Sequence, residues 1–308
     1  MQPFGIVNKK LVTAVIPTKN RSEDLQAAVE SIVDQSRIPD QLVIVDQSND
    51  TMSRDVVLES TKKTPGMKLT YIHDPRIPGL VAAKAESLKY ADGDIICFLE
   101  DDVVLERDYI ESIINGFFEK QDMLGCSGIV TNPPKVDNIY LLFHKIFHRG
   151  IFEDRRPMIY AKTNSESEML IESNALSGGL SAWRKEVFDH VRFDTRNGFH
   201  MIEDFEFSRR AIDFFGNHFF INTKARLAHN FSPANRDVLD KKHQRKTVEY
   251  IIFYKKNRFS KYALINMIWL YIGLCIDAVA QSLSNKTTLP LRGIMKGAVY
   301  GPQKKLIS

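Results

Sequence analysis

The chain has 308 residues, 44% of them hydrophobic and 26% charged, enough to bury one large core or two modest ones. Its 3 cysteines (Cys97, Cys126 and Cys275) are far apart and form no CxxC or Cys/His pattern, which argues against a disulfide framework or a zinc site and fits a reducing, cytoplasmic setting. The net charge of +4 hides an asymmetry: from residue 233 onward 14 Lys/Arg face 4 Asp/Glu, whereas residues 1–232 carry 28 bases against 34 acids, so the C-terminal quarter is expected to have a partner of its own.

The opening Met1-Gln2-Pro3-Phe4-Gly5-Ile6 has no basic segment followed by a long apolar region, so no signal peptide is expected. Residues 11–18 then read as a strand that Pro17 stops. Ser22 is a candidate N-cap, with Glu23 and Asp24 in the first turn, where the helix dipole favours acids. Leu25, Ala28, Val29, Ile32 and Val33 recur along one helical stripe. Residues 42–46 form a second apolar run, ending in Asp46. The polar stretch 51–66 is expected to hold a helix, 69–73 a strand, and the Ala-rich 80–90 another helix.

Next, Ile95-Ile96-Cys97-Phe98-Leu99 reads as a strand buried on both faces, and it ends abruptly in Glu100-Asp101-Asp102. Three adjacent carboxylates repel one another, so folding alone gives no reason to collect them; a solvated acidic turn or a hard divalent cation would. Strands alternating with helices imply a parallel sheet covered on both faces, with ligands bound outside the carboxyl ends of the strands. Thr18-Lys19-Asn20-Arg21, Asp46-Gln47-Ser48 and the acidic triplet all lie at those ends and are expected to converge on one crevice.

A helix over about 107–120 carries Ile110, Ile113, Ile114, Phe117 and Phe118 as its stripe. Residues 131–170, rich in Pro, Arg, His and Tyr, read as a loop-bearing insertion, and 177–183 as a strand softened by Gly178 and Gly179. Glu203 and Asp204 open a helix. Residues 218–222 and 225–229 read as two strands, the second ending in His229. No GxGxxG follows the first strand and no GxxxxGK[ST] is present, which counts against nicotinamide, flavin and P-loop chemistry.

The tail interleaves aromatics and bases over 250–259. It then runs strongly apolar over 262–283, interrupted by Asn266, Asp277 and Gln281. An in-plane amphipathic helix attracted to anionic headgroups fits this pattern better than a span. Helices packed on the catalytic domain, or on a second subunit in a homo-oligomer, fit almost as well. No nucleic-acid-binding motif accompanies the bases.

Four motifs in order resemble family 2 glycosyltransferases of the GT-A fold. They are Val15-Ile16-Pro17-Thr18-Lys19-Asn20-Arg21; Val45-Asp46-Gln47-Ser48; Gly79-Leu80-Val81-Ala82-Ala83-Lys84 followed by Phe98-Leu99-Glu100-Asp101-Asp102; and Gly178-Gly179 followed by Glu203-Asp204 and His229. The resemblance covers about residues 10–232. Glu100 stands where the family's DxD motif opens with Asp, and Lys84 where it usually has Arg.

The resemblance implies an α/β fold, a GT-A (Rossmann-like) mostly parallel sheet with helices on both faces. It implies a catalytic domain over 1–232, with a nucleotide-binding half at about 10–125 and an acceptor half at about 126–232, followed by a helical, basic extension over 233–308. The implied activity is inverting transfer of a sugar from a UDP- or dTDP-type nucleotide-sugar to a hydroxyl of a glycan or lipid-linked acceptor, with Mn²⁺ or Mg²⁺. The setting would be polysaccharide or glycolipid assembly, peripheral on the cytoplasmic face of the membrane.

Asp102 is the first expected metal ligand, with Glu100 beside it and His229 as third; the imidazole suits Mn²⁺ better than Mg²⁺. Asp204 is the expected general base, which Glu203 would orient unless it contacts the donor sugar. Asp46 would accept a hydrogen bond from a uracil or thymine N–H; its other reading is a helix N-cap or turn former, for which Ser48 is an equally good candidate. Thr18 and Arg21 would line the base and ribose pocket, with a plain surface cation as the other reading of Arg21. Lys84 would reach base or phosphate, and Pro17, Asn20, Asp101, Gly178 and Gly179 complete the expected nucleotide-sugar site. Two other classes are a nucleotidyltransferase, which lacks its Gly-rich loop here, and a non-catalytic sugar- or lipid-binding protein on the same fold.

Overall fold

Near-continuous apolar runs become the middle of a sheet. In a computed structural model, which describes residues 10–134, 138–163, 169–232 and 237–307, strands β1 (Val12–Thr18) and β2 (Gln41–Asp46) are buried at every position. The N-terminal hexapeptide read above for a leader lies outside the described residues. Successive side chains point to opposite faces. Val12, Ala14 and Ile16 therefore enter a core with α1 (Ser22–Val33), α2 (Met52–Thr61) and, further along, α4 (Tyr109–Glu119). Val15, Val43 and Val45 enter another with α3 (Gly79–Ser87), α7 (Val187–His190) and α8 (Glu203–Phe215). Two-sided covering is why these strands carry no polar alternation.

The sheet also contains β3 (Lys68–His73), β4 (Ile95–Leu99), β5 (Val103–Leu105), β6 (Gly125–Val130), β7 (Leu170–Glu172), β8 (Leu180–Arg184) and β9 (Phe219–His229). Its order is β3-β2-β1-β4-β8-β6-β9-β5, with β7 paired to β9. The first four are mutually parallel, as expected. Beyond β4 the sheet becomes mixed: β8 runs antiparallel to β4 and β6, while β6 and β9 are parallel.

Several local expectations are corrected. Pro17 lies inside β1 and does not end it: pairing with β4 stops at Val15, so Pro17 has no ladder partner on the β4 side and its missing N–H is tolerated there. Ser22 is the first helical residue; Arg21 holds the N-cap position with no side-chain cap. Gly178 and Gly179 form a turn ahead of β8 and lie outside the strand. The two strands expected over 218–229 are one, β9, bent by a register shift between Ser127 and Ile129 of its partner. Phe118 is 39% exposed, so the stripe of α4 ends at Phe117.

The expected loop region 131–170 carries α5 (Asn138–Phe147), a single 3-10 turn (Gly150–Phe152) and α6 (Arg156–Tyr160). Behind it stand α9 (Leu239–Lys256), α10 (Ala263–Ser284) and α11 (Leu289–Gln303). Phe152, Phe199, Ile202 and Phe205 share a core with Tyr250 and Phe253 of α9, Met267, Leu270 and Leu274 of α10 and Ile294 of α11. Helix α11 lies directly on α9 through Gly293, Gly297 and Gly301. A Cβ at Gly293 would sit 2.3 Å from the Asp240 carbonyl oxygen, and one at Gly297 2.6 Å from the Thr247 Cβ.

Candidate active site

The acidic triplet sits where β4 leaves the sheet, and each carboxylate has its own surroundings. The Glu100 N–H donates to the Gly179 carbonyl at 3.0 Å, holding the turn between β4 and β5 against the double glycine. Asp101 is buried; it accepts from Thr18 Oγ1 at 2.8 Å and from the Arg21 guanidinium at 2.9 Å. Burial pushes the Asp101 carboxyl up to about 6, against the pull of Arg21 and Thr18.

The antiparallel pairing of β5 with β9 sets Val103 opposite His229, which brings Asp102 to the imidazole. His229 Nε2 lies 3.0 Å from Asp102 Oδ1 and 3.0 Å from Glu100 Oε2. Asp102 Oδ2 accepts from the Ser232 N–H at 2.8 Å. Burial disfavours the imidazolium, but hydrogen bonds and charge from Asp102 and Glu100 outweigh it and raise His229 to about 9. The same contacts, with Ser232 and Arg21, hold Asp102 below the usual carboxylate range although burial opposes them. Glu100, Asp102 and His229 thus offer ligand atoms that all lie within 4.8 Å of one another.

A second group forms at the start of α8. Glu203 points inward and meets Lys84 Nζ at 2.5 Å, and Lys84 also donates to the Gly178 carbonyl at 3.0 Å. Burial raises Glu203 above the usual carboxylate range even with the ammonium of Lys84 against it. Asp204 faces the other way. Its Oδ1 accepts from the Phe205 N–H at 2.6 Å, and its Oδ2 from the Gly178 N–H at 3.2 Å and the Arg156 guanidinium at 2.5 Å.

Arg156 is fixed in turn by three guanidinium contacts to Asp154, at 2.7, 3.0 and 3.1 Å, and by the Leu176 carbonyl at 3.0 Å. Burial opposes its charge, and Asp154 and Asp204 restore it, so the guanidinium is held well above its ordinary value.

Two adjacent glycines join these groups. A Cβ at Gly178 would lie 2.6 Å from Glu203 Oε1 and 2.8 Å from Lys84 Nζ; one at Gly179 would lie 2.3 Å from Glu100 Cγ and Cδ. The imidazole–carboxylate trio and the Glu203–Asp204 pair therefore flank a turn in which any Cβ would push one of these side chains aside.

A third cluster lies at the ends of β1 and β2. Asp46, fully buried, accepts from the Ser48 N–H at 2.8 Å and the Tyr71 hydroxyl at 2.6 Å. Ser48 Oγ accepts from the Asn20 N–H at 2.7 Å, and Asn20 adopts φ 52, a left-handed turn. The Gln47 N–H reaches the Thr18 carbonyl at 2.9 Å, tying this cluster to the acidic triplet.

The structure thus brings together Thr18, Arg21, Glu100, Asp101, Asp102, His229 and Gly179, and separately Lys84, Gly178, Glu203 and Asp204. Pro17, Asn20, Asp46 and Ser48 line the strand ends beside them. Lys84 stands with Glu203 and the Gly178 carbonyl. Sequence reading missed Arg156, Asp154 and Tyr71. The charged run Glu153-Asp154-Arg155-Arg156 was a visible signal inside the insertion, but nothing local aims Arg156 at Asp204.

Comparison with known proteins agrees with this layout. The family model described as "Glycosyl transferase family 2" matches residues 13–192. A putative teichuronic acid biosynthesis glycosyltransferase of Bacillus subtilis is 24% identical over 120 residues, 39% of this chain; the chain spans 47% of that relative's length. A mannosyltransferase of Pyrobaculum calidifontis, solved with GDP-Man and Mn²⁺, superposes with a TM-score of 0.63 at 16% identity, over 96% of this chain and 88% of the other. TarS of S. aureus, solved with UDP-GlcNAc, gives a TM-score of 0.55 at 13% identity, over 86% and 71%. At such identities the two structures speak for the GT-A fold alone. The family match extends from β1 through α7 and takes in the acidic triplet and the double glycine: the chain belongs to glycosyl transferase family 2.

Proposed function

We propose that this chain moves a sugar, with inversion, from a UDP- or dTDP-type nucleotide-sugar to an acceptor hydroxyl of a glycan or lipid-linked glycan. The observation that carries the reading is the Gly178-Gly179 turn, which sets the Glu100/Asp102/His229 trio on one side and Asp204 on the other. The Bacillus subtilis relative's role in teichuronic acid biosynthesis supports a role in polysaccharide assembly. The reading divides the chain into a catalytic part to residue 232 and a helical part from 233, peripheral at the cytoplasmic face of a membrane.

Asp204 takes the acceptor proton as the hydroxyl oxygen bonds to the anomeric carbon and the bond to the diphosphate oxygen breaks from the opposite face. Arg156, the Gly178 N–H and the Phe205 N–H hold the carboxylate in place for that transfer. Glu203 and Lys84 neutralise each other beneath the double glycine and keep the turn rigid. Asp46, Ser48, Asn20 and Pro17 frame the base, while Thr18, Arg21 and Asp101 lie between base and phosphates.

The trio fits a divalent cation: two carboxylates and an imidazole already share one proton strongly enough to raise His229 to about 9. Glu100, Asp102 and His229 would hold the ion, whose charge offsets that developing on the departing diphosphate.

Calorimetry with UDP-, dTDP- and GDP-sugars, with and without Mn²⁺, tests the reading. Metal-dependent binding of a UDP- or dTDP-sugar is the expected result, and no metal-dependent binding of any donor overturns it. A Gly179→Ala change is expected to displace Glu100 and weaken Mn²⁺ binding by about 10–100-fold, with the melting temperature nearly unchanged. Wild-type Mn²⁺ affinity in that variant would remove Glu100 from the ligand set.

The metal should also compete with the His229 proton. In the metal-free protein the imidazolium's stabilising contribution is complete below the ordinary value of 6.5 and is lost as pH rises through about 9. Mn²⁺ affinity should therefore climb about tenfold per pH unit from pH 7 toward pH 9 and then level off, with proton release vanishing there. A flat profile across that window would exclude His229 as a ligand.

A further inference from the structure

Helix α10 has 22 residues and is long and apolar enough to cross a membrane, yet one side of it belongs to the protein core. Met267, Leu270 and Leu274 are buried against α9 and α11, so spanning a bilayer would strip that core. On the opposite side Ile265, Ile268, Ile272, Ile276, Val279 and Leu283 are all more than 40% exposed. Their spacing puts them on one stripe about 27 Å long. A contiguous exposed apolar strip of this size marks an interaction surface.

What surrounds the strip identifies its occupant. Arg258 and Lys261 precede the helix, each against an aromatic ring: the Arg258 guanidinium is 4.6 Å from the Phe259 centroid and Lys261 Nζ 4.9 Å from that of Tyr262. Phe259 is 88% exposed. Lys286 follows the helix. Arg149 lines a groove of about 520 Å³ with Asn266, Ile265, Ile268 and Trp269.

No Asp or Glu occurs over residues 258–276, and Asp277 turns aside to bond Gln281 at 3.0 Å. Cations at both ends also disfavour a second copy of the chain. Two strips laid face to face, in either direction, would bring like charges together.

We propose that this stripe docks in the plane of an anionic bilayer, with its isoleucines at the headgroup–acyl boundary and Arg149, Arg258, Lys261 and Lys286 on lipid phosphates. Docking here would bring a membrane-borne acceptor toward Asp204. Trp269 Nε1 donates to the Ile146 carbonyl at 2.7 Å and its ring stacks on Phe147, and the same segment continues into Asp154 and Arg156, which grips Asp204. Only this last step rests on the function proposed above; the docking itself is read without turnover.

The test is flotation of the full chain with phosphatidylcholine vesicles and with vesicles containing about 30 mol% phosphatidylglycerol. The wild type should float with the anionic vesicles, less so as salt rises. Ile268→Asp with Ile272→Asp should cut binding by about tenfold or more. Should that pair fail to fold, Arg258→Glu with Lys261→Glu, at exposed positions, should likewise abolish the preference for anionic lipid. Both pairs should leave calorimetric donor binding unchanged.

A wild type that floats with neither vesicle, or variants that float as well as it does, would overturn the docking. So would a solution dimer that the isoleucine variants split. Loss of donor binding in a wild type that still floats would instead strike the catalytic reading and leave the docking standing.

Discussion

Asp204→Asn is expected to lower transfer by about 10²–10⁴-fold while nucleotide-sugar and Mn²⁺ binding persist. Asparagine keeps the shape of the side chain, and its single amide oxygen, set where Oδ2 stands, still accepts from the Gly178 N–H and Arg156; only the Phe205 N–H loses its acceptor, a loss confined to the first turn of α8. Arg156 keeps its three contacts to Asp154 and stays in place. What is lost is the basic oxygen that would receive the acceptor proton. Single-turnover transfer alongside donor calorimetry separates the two effects. Near wild-type turnover would remove Asp204 from the role of base, and a parallel loss of donor binding would make it a structural residue.

Lys84→Met is expected to cost about 3–5 kcal/mol of stability, a large share of the 5–15 kcal/mol typical of a folded chain. Lys84 and Glu203 are 2% and 6% exposed and meet at 2.5 Å. Glu203 Oε2 has no hydrogen-bond partner among the described residues. Removing the ammonium would leave a buried carboxylate to ionise alone or take up a proton, and either is costly. Adding Glu203→Leu should recover most of the loss, because the variant then lacks both charges. Denaturant unfolding of the single and double variants checks this; a Lys84→Met loss under about 1 kcal/mol would mean that the pair is solvated or easily replaced.

How much of the site could be read in advance depended on the kind of interaction. The double-wound half was legible because burial on two faces demands unbroken apolar strands, and the acids at their ends stand out against them. His229 was legible through resemblance alone, since nothing near it in the chain says that it faces Asp102. The local expectations that failed, such as Ser22 as a cap and Pro17 as a stop, depended on which neighbours each strand or turn would find.

The sequence by itself determined the strand–helix order, the clustering of polar residues at strand ends, the acidic triplet and the apolar, base-flanked tail. These follow from periodicity and composition, which act over a few residues. Only the tertiary structure decided that β8 enters antiparallel beside β4, that β5 pairs with β9 so as to set Asp102 at His229, and that Lys84 belongs to Glu203. It alone brought Arg156 from the insertion to Asp204, across 48 residues of chain, and turned one face of α10 into the core and the other outward. Contacts between distant segments are set by how whole elements pack, and no short stretch of chain encodes them.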